Sequence, residues 1–176
     1  MSTTLQVSYN YNLRFPFIIS ASLFPAILNA RNIDHELYNQ RITKLFSLIL
    51  VLGIFIALFV TLFSQLIIDA LFGVSFKDSA SVLMVGVWSL IFVGLGNAAS
   101  KWFFAEGLQK LFMYRTLFGL IVNLLLNYLL IPIYGLVGAA VATLTSVLFA
   151  NFISYYFSIS LRPLFILILR SFNIFI

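Results

Sequence analysis

The strongest constraint on this chain is a run of 24 residues, 45–68, that contains no charged side chain. A helix of that length is about 36 Å long, enough to cross the roughly 30 Å hydrocarbon core of a bilayer with some tilt. Hydrophobic residues make up 62% of the 176-residue chain and charged residues only 9%. A soluble domain of this size could not hide so much apolar surface from water. The sequence therefore predicts a protein that crosses a membrane several times.

The uncharged stretch from Thr116 to Leu161 is 46 residues long, which is too long for a single crossing. Pro132 and Gly135 lie within it and favour a tight turn there. We therefore predict an all-α fold, a polytopic membrane helix bundle of about five transmembrane helices. The predicted spans are residues 13–29, 45–68, 79–100, 111–131 and 136–157.

These spans divide the chain into three segments. Residues 1–12 are polar and uncharged, and we predict that they form an external N-terminal segment. Residues 13–157 form the five-span transmembrane bundle. Residues 158–176 are predicted to be a cytoplasmic or interfacial tail, because the apolar stretch after Pro163 is short and is interrupted by Arg170.

The basic residues separate onto alternate sides of the predicted spans, with eight on one side and two on the other. This bias places the C-terminus in the cytoplasm and the N-terminus outside, and it argues against a nucleic-acid partner. An odd span count with an external N-terminus predicts the back portion of a longer protein. The larger group is Arg31, Arg41, Lys44, Lys101, Lys110, Arg115, Arg162 and Arg170, and the smaller is Arg14 and Lys77.

The sequence offers little material for enzyme chemistry. It has no cysteine, and its single histidine, His35, lies between acidic residues in a predicted loop. The predicted spans contain no carboxylate, and we place Asp69 in an external loop. We therefore predict no enzyme, no metal site and no cofactor.

Asn123 and Asn127 are four residues apart, so both side chains lie on one face of the fourth span. Amides in hydrocarbon need hydrogen-bond partners, so this face points into the bundle or towards a cavity. One interpretation is an interhelical hydrogen bond that only serves packing. The other is a polar stripe along a substrate path.

Arg115 lies about one turn into the fourth span. Its side chain could extend along the helix to the lipid headgroups, as cations near helix ends commonly do. It could instead line a basic cytoplasmic vestibule together with Lys101 and Lys110. Small residues, among them Gly135 and Gly138, give the fifth span a smooth edge that is typical of close helix packing.

Several motifs resemble the C-terminal half of bacterial flippases for O-antigen and capsule repeat units, which belong to the multidrug/oligosaccharidyl-lipid/polysaccharide exporter superfamily. The resemblance extends over residues 13–157, and its most specific part is the stretch LIPIYGLVGAAVAT. The motifs are Leu23-Phe24-Pro25, Leu71-Phe72-Gly73, Tyr114-Arg115-Thr116 and Leu130 to Thr143.

This resemblance implies a transporter of the bacterial inner membrane that contributes to O-antigen and lipopolysaccharide biosynthesis. Such proteins have two helix bundles, and the five spans here resemble most of the second. The implied substrate is an undecaprenyl-pyrophosphate-linked oligosaccharide. Arg115 and Lys101 would pair with the pyrophosphate, and Asn123 and Asn127 would contact sugars or the cavity. The partners would be membrane lipids, this substrate, and either a separate N-terminal half or a second copy.

Two other functions stay open on the sequence alone. A multidrug antiporter of the same superfamily would need acidic residues within the spans for cationic substrates, and the absence of these counts against it. A structural membrane subunit or a non-transporting remnant fits a different argument. Alternating access requires two bundles that move around a central site, and five spans supply only one.

Overall fold

A computed structural model describes residues 34–173, and this part of the chain consists of helices joined by short turns, with no strand. The membrane helix bundle predicted from the sequence is confirmed. Residues 1–12 and the first predicted span, 13–29, lie outside the described residues. The elements are α1 (His35–Phe72), α2 (Ser79–Ala105), α3 (Gln109–Leu148), a π-helical turn (Phe149–Ile153), α4 (Ser154–Phe157) and α5 (Arg162–Asn173), with 3-10 turns at Val74–Phe76 and Ile159–Leu161.

Helix α1 is longer than the apolar run that predicts it. Asp34 caps its start, where the side chain accepts a hydrogen bond from the Glu36 N–H at 2.8 Å. The helix ends at Gly73, whose φ of 84° is readily adopted only by glycine. The placement of Asp69 in a loop was wrong. It lies in the last turn of α1 and accepts a hydrogen bond from Gln65 at 3.2 Å, because the helix continues past the apolar segment.

Helix α3 folds back on itself at Gly135, whose φ of 58° and ψ of −137° are not helical. We call residues 109–134 the outgoing limb and residues 136–157, which continue through the π turn and α4, the return limb. The limbs are antiparallel, since Asn123 on one donates a hydrogen bond to Ser146 on the other. The turn predicted at Pro132 and Gly135 is confirmed.

Three helices in the described region are long and apolar enough to cross a membrane: His35–Phe72, Ser79–Ala105 and Gln109–Phe157. The third contains both limbs of the hairpin, so the described region supplies four helical segments of membrane length, which we call rods. Helix α2 begins where the third predicted span begins, at Ser79, and extends to Ala105. These rods correspond to the second through fifth predicted spans.

Two contacts show which ends of the rods lie together. The Tyr38 hydroxyl near the start of α1 donates a hydrogen bond to the Glu106 carboxylate after α2, at 3.1 Å. Arg115 and Tyr155 likewise join the two open ends of the hairpin. We call this side of the bundle the basic end, because seven described cations lie in the segments that meet there, whereas Lys77 lies in the opposite connection. The seven are Arg41, Lys44, Lys101, Lys110, Arg115, Arg162 and Arg170.

The core lies mainly between α1 and α2, where Phe46, Leu95 and Phe103 are fully buried. Large apolar side chains also cover the outside of the bundle; Leu62, for example, is 78% exposed. An apolar exterior of this kind suits hydrocarbon as solvent, since lipid tails impose no penalty on it.

The tail helix α5 has 12 residues, about 18 Å, which is too short to cross a bilayer. Its own residues Leu164 and Ile168 are fully buried, and Ser47 of α1 donates a hydrogen bond to the Ser171 carbonyl at 3.1 Å. The return limb ends at Phe157, and Ser158 after it is extended. Helix α5 is thus a short amphipathic helix that packs against the first turns of α1.

Candidate functional site: a polar groove in the hairpin

A groove of about 330 Å³ lies between the two limbs of the hairpin. Its lining contains amide and hydroxyl groups but no charged side chain, and small residues leave room between the limbs. Because both limbs are of membrane length, the groove places polar groups at membrane depth. The lining residues are Thr116, Gly119, Leu120, Asn123, Thr143, Ser146, Val147, Ala150 and Asn151.

A chain of hydrogen bonds crosses this groove. The Asn127 amide donates to the Asn123 side-chain oxygen at 3.0 Å, and the Asn123 amide donates to the Ser146 hydroxyl at 3.0 Å. The Ser146 hydroxyl then donates to the Thr143 carbonyl at 2.9 Å. Asn123 therefore forms the interhelical bond that the packing interpretation predicts, and it also lines the groove. Asn127 bonds within its own limb.

Arg115 lies at the basic end of the groove and is 92% buried, with only 8% of its surface exposed. Its Nη1 donates to the Ala150 carbonyl at 3.0 Å, to the Asn151 side-chain oxygen at 2.9 Å and to the Tyr155 hydroxyl. The side chain thus points into the bundle, whereas extension to the headgroups was one expectation. The physical reason is that the return limb offers three oxygen acceptors at this level.

Aromatic rings enclose the Arg115 guanidinium. Its central carbon lies 5.1 Å from the ring centre of Phe103, 5.0 Å from that of Phe112 and 5.2 Å from that of Tyr155. Such cation–π contacts become stronger when the cation is removed from water. The Nε of Arg115 is buried and has no hydrogen-bond partner among residues 34–173. The guanidinium is therefore held mainly through one of its nitrogens.

The π turn at Phe149–Ile153 supplies two of the three acceptors for Arg115, and the third, Tyr155, lies in α4. The Ala150 carbonyl accepts from Arg115 and also from the Ser154 hydroxyl at 2.7 Å. A π turn interrupts the regular bonding of an α-helix, and such turns are frequent at functional sites. The same turn directs Asn151 towards Gly96 of α2, where an added Cβ would lie 2.6 Å from the Asn151 Cγ. Asn151 is therefore wedged between Arg115 and α2.

The structure brings together three of the four site residues predicted from the sequence. Asn123 and Asn127 are bonded to each other, and Arg115 is joined to the groove through Ala150 and Asn151. Lys101 is half-buried on α2 and does not line the groove. Lys110, the third member of the predicted vestibule, is exposed.

Sequence reasoning missed Asn151 and Tyr155. A signal for them existed, because the two residues are four positions apart in an uncharged run and therefore share one helix face. That is the same spacing that identified Asn123 and Asn127. Within the described part of the chain, no cluster of three His, Cys, Asp or Glu residues could hold a metal ion.

The described helices are of membrane length, and a polar groove lies between two of the membrane-length segments. Residues 15–174 match the family described as Lipid II flippase MurJ, and the chain belongs to this family. Flippases are transporters and not enzymes, in agreement with the prediction from the sequence. No solved structure matches the chain.

A curated relative is "Uncharacterized membrane protein MJ1375" from Methanocaldococcus jannaschii. It is 30% identical over 132 residues, which cover 74% of this chain and 30% of the relative. The chain thus spans about a third of the length of this relative. Its name assigns membrane location and no activity.

Proposed function

We propose that this chain is a C-terminal portion of a flippase that moves a lipid-linked saccharide across the bacterial inner membrane, with the C-terminus in the cytoplasm. The observation that carries the proposal is the match to a lipid II flippase family over residues 15–174. The polar groove supports it, because saccharides present many hydroxyl groups to a transporter. Neutral amides and hydroxyls can donate to and accept from these groups without binding a charge.

The proposed substrate is an undecaprenyl-pyrophosphate-linked O-antigen or capsule repeat unit. The support for this choice is the resemblance of the stretch LIPIYGLVGAAVAT to flippases of that kind. The family description favours a second candidate, lipid II, which is likewise a saccharide on a lipid pyrophosphate. Both substrates require the same two kinds of contact, a cation for the pyrophosphate and uncharged polar groups for the sugar.

We assign the four site residues to these contacts as follows. Asn123 contacts sugar hydroxyls from the groove, and Asn127 holds the Asn123 amide in orientation. Lys101 pairs with the pyrophosphate. Arg115 is engaged by Ala150, Asn151 and Tyr155, so it positions the return limb and could reach a pyrophosphate only if the two limbs move apart.

Complementation in two bacterial strains tests the function. One strain lacks its O-antigen flippase and the other is depleted of its lipid II flippase. The chain is expressed alone and joined to the N-terminal bundle of a flippase from the same family. We expect surface O-antigen to return in the first strain with the joined form, and an Asn123→Ala variant to reduce it.

Each other outcome changes the assignment. Rescue of growth only in the second strain would replace the O-antigen unit with lipid II. Membrane insertion without rescue in either strain would overturn transport and favour the non-transporting remnant or structural subunit. Rescue by the chain alone would point to a second copy of the chain as the missing bundle.

A further inference from the structure

Helix α5 presents apolar side chains on two faces. The inner face packs against the bundle through Leu164, Leu167 and Ile168. A second face, which we call the outer face of α5, consists of Arg162, Ile166, Leu169 and Arg170 at the helical spacing i, i+4, i+7, i+8. Ile166 is 48% exposed and Leu169 is 44% exposed. An apolar surface flanked by two cations suits a neighbour that is both apolar and anionic.

A hollow of about 390 Å³ lies beside this face and is lined by Tyr156, Arg162, Phe165, Ile166 and Leu169. It combines one guanidinium, one phenol and an apolar wall, and no carboxylate lines it. A guanidinium matches the oxygens of a phosphate in a bidentate arrangement, and tyrosine is common at the headgroup level of membranes.

Arg170 lies at the edge of this outer face and also lines a second hollow, of about 340 Å³, between α5 and α1. Lys44 adds a second cation there and Glu36 an acid, so this hollow keeps a net positive charge. Its remaining lining residues are polar: Asn39, Gln40 and Thr43. The outer face of α5 is therefore bordered by positive charge at both of its ends.

The position of α5 fits the headgroup layer. The helix follows the return limb, which ends at Phe157, so it begins where a membrane-spanning segment finishes. It lies at the basic end, where the described cations collect. Short helices with an apolar face and flanking cations bind at this depth, and anionic lipids strengthen that binding.

We propose that the outer face of α5 binds an anionic phospholipid of the bilayer. Arg162 and the Tyr156 hydroxyl contact the phosphate, Ile166 and Leu169 contact the upper acyl chain, and Arg170 attracts the headgroup from the far end of the helix. This occupant is favoured over a second copy of the chain because the 390 Å³ hollow pairs a cation with an apolar wall and lacks a carboxylate. The site does not depend on which saccharide the transporter carries.

Lipid binding to the purified full chain tests this proposal. The dissociation constants of fluorescent phosphatidylglycerol and phosphatidylcholine are measured in detergent micelles. We expect phosphatidylglycerol to bind more tightly. The Arg162→Gln variant should weaken it about fivefold, and the Arg162→Gln/Arg170→Gln double variant further. Phosphatidylcholine binding should weaken less, because its choline ammonium offsets the charge of the phosphate that Arg162 contacts. The matched control is Lys77→Gln, which removes one exposed cation at the opposite end and should change neither constant.

Several results would overturn the proposal. Equal affinity for the two lipids would do so, and so would a loss in Lys77→Gln as large as that in Arg162→Gln. Displacement of phosphatidylglycerol by undecaprenyl phosphate at a tenfold lower concentration would reassign the surface to the transported lipid. Displacement by inorganic phosphate would reduce it to a simple anion site. Dimerisation that Arg162→Gln abolishes would make a second copy the occupant.

Discussion

The interface between α1 and α2 and the hairpin of α3 hold their helices together by different means. In the first, small residues allow close approach: a Cβ added at Gly53 would lie 3.0 Å from Ile91, and one added at Gly94 would lie 2.9 Å from Ile49. A polar contact also joins these helices, from the Trp88 indole N–H to the Thr61 hydroxyl at 3.2 Å. This interface is dominated by van der Waals contact.

The hairpin combines close packing at Gly119 and Gly138 with hydrogen bonds between its limbs. Arg115 and Asn123 each reach from the outgoing limb to acceptors on the return limb, and the groove of about 330 Å³ lies beside these bonds. Close packing leaves no space, whereas polar bridges can span a space that a ligand can enter. We infer that, of these two regions, α1–α2 is the more rigid and the hairpin is the one that can open.

The largest effect is expected from Arg115→Met, which removes all the bonds from Arg115 to the return limb. Hydrogen bonds from a charged group contribute about 1.5–3 kcal/mol each and are not additive here, because one nitrogen serves three acceptors. We expect the free energy of unfolding in bicelles, measured by steric trapping, to fall by about 3 kcal/mol.

The matched control for Arg115→Met is Lys110→Met, which removes an exposed cation from the first turn of the same limb. We expect this control to change stability by less than about 0.5 kcal/mol. If the two variants lost equal stability, Arg115 would not be a clamp between the limbs, and the contrast with the α1–α2 interface would fail.

A smaller effect is expected from Gly96→Ala on α2. The new Cβ would collide with the side chain of Asn151, which must then move away from Arg115. We expect a loss of about 1–2 kcal/mol in the same unfolding measurement, since one charged hydrogen bond is weakened and the contact is overpacked.

Gly86→Ala is the matched control for Gly96→Ala, because it lies in the same helix and nothing lies within 4 Å of its added Cβ. It should gain about 0.5–1 kcal/mol through its higher helix propensity. A gain in both variants would show that Asn151 is not wedged between α2 and Arg115.

Sequence alone predicted the rods and the turn of this fold but not the inward direction of Arg115. Uncharged length and the pair Pro132 and Gly135 are local signals, so the hairpin could be placed from them. Whether Arg115 extends to headgroups or turns inward depends on acceptors that the return limb brings from 35 to 40 positions away. The π turn that exposes the Ala150 carbonyl contains neither proline nor glycine, so no local signal marks it.

Part of the groove could also be predicted from the sequence, because the spacing of two residues on one helix is a local signal. Asn123 and Asn127 could be placed on one face from their spacing, and that face does line or adjoin the groove. Ser146, the partner of Asn123 on the return limb, could not be predicted from the sequence. The register between the two limbs is set by the exact position of the turn and by the close packing at Gly119 and Gly138.

Comparing Asn123→Ala with Asn127→Ala should separate the stability that comes from a hydrogen bond between the limbs from that of a bond within one limb. It removes the bond to Ser146, and hydrogen bonds between membrane helices contribute about 0.6 kcal/mol on average. Asn127→Ala removes a bond within the outgoing limb only, so we expect a smaller loss of stability. Larger loss from Asn127→Ala in the same unfolding assay would contradict the bridging role of Asn123.

The smallest effect is expected from Trp88→Phe, which tests the other side of the comparison. This change removes the indole N–H that bonds Thr61 but keeps an aromatic ring between α1 and α2. Because packing dominates that interface, the loss in unfolding free energy should stay well below about 0.6 kcal/mol, and far below that of Arg115→Met. Thr61→Val removes the acceptor while keeping its volume, and it should cost no more. If either variant lost more stability than Asn123→Ala, hydrogen bonds would stabilise the α1–α2 interface as much as they stabilise the hairpin. The difference between the two regions would then give no reason to expect that the hairpin opens.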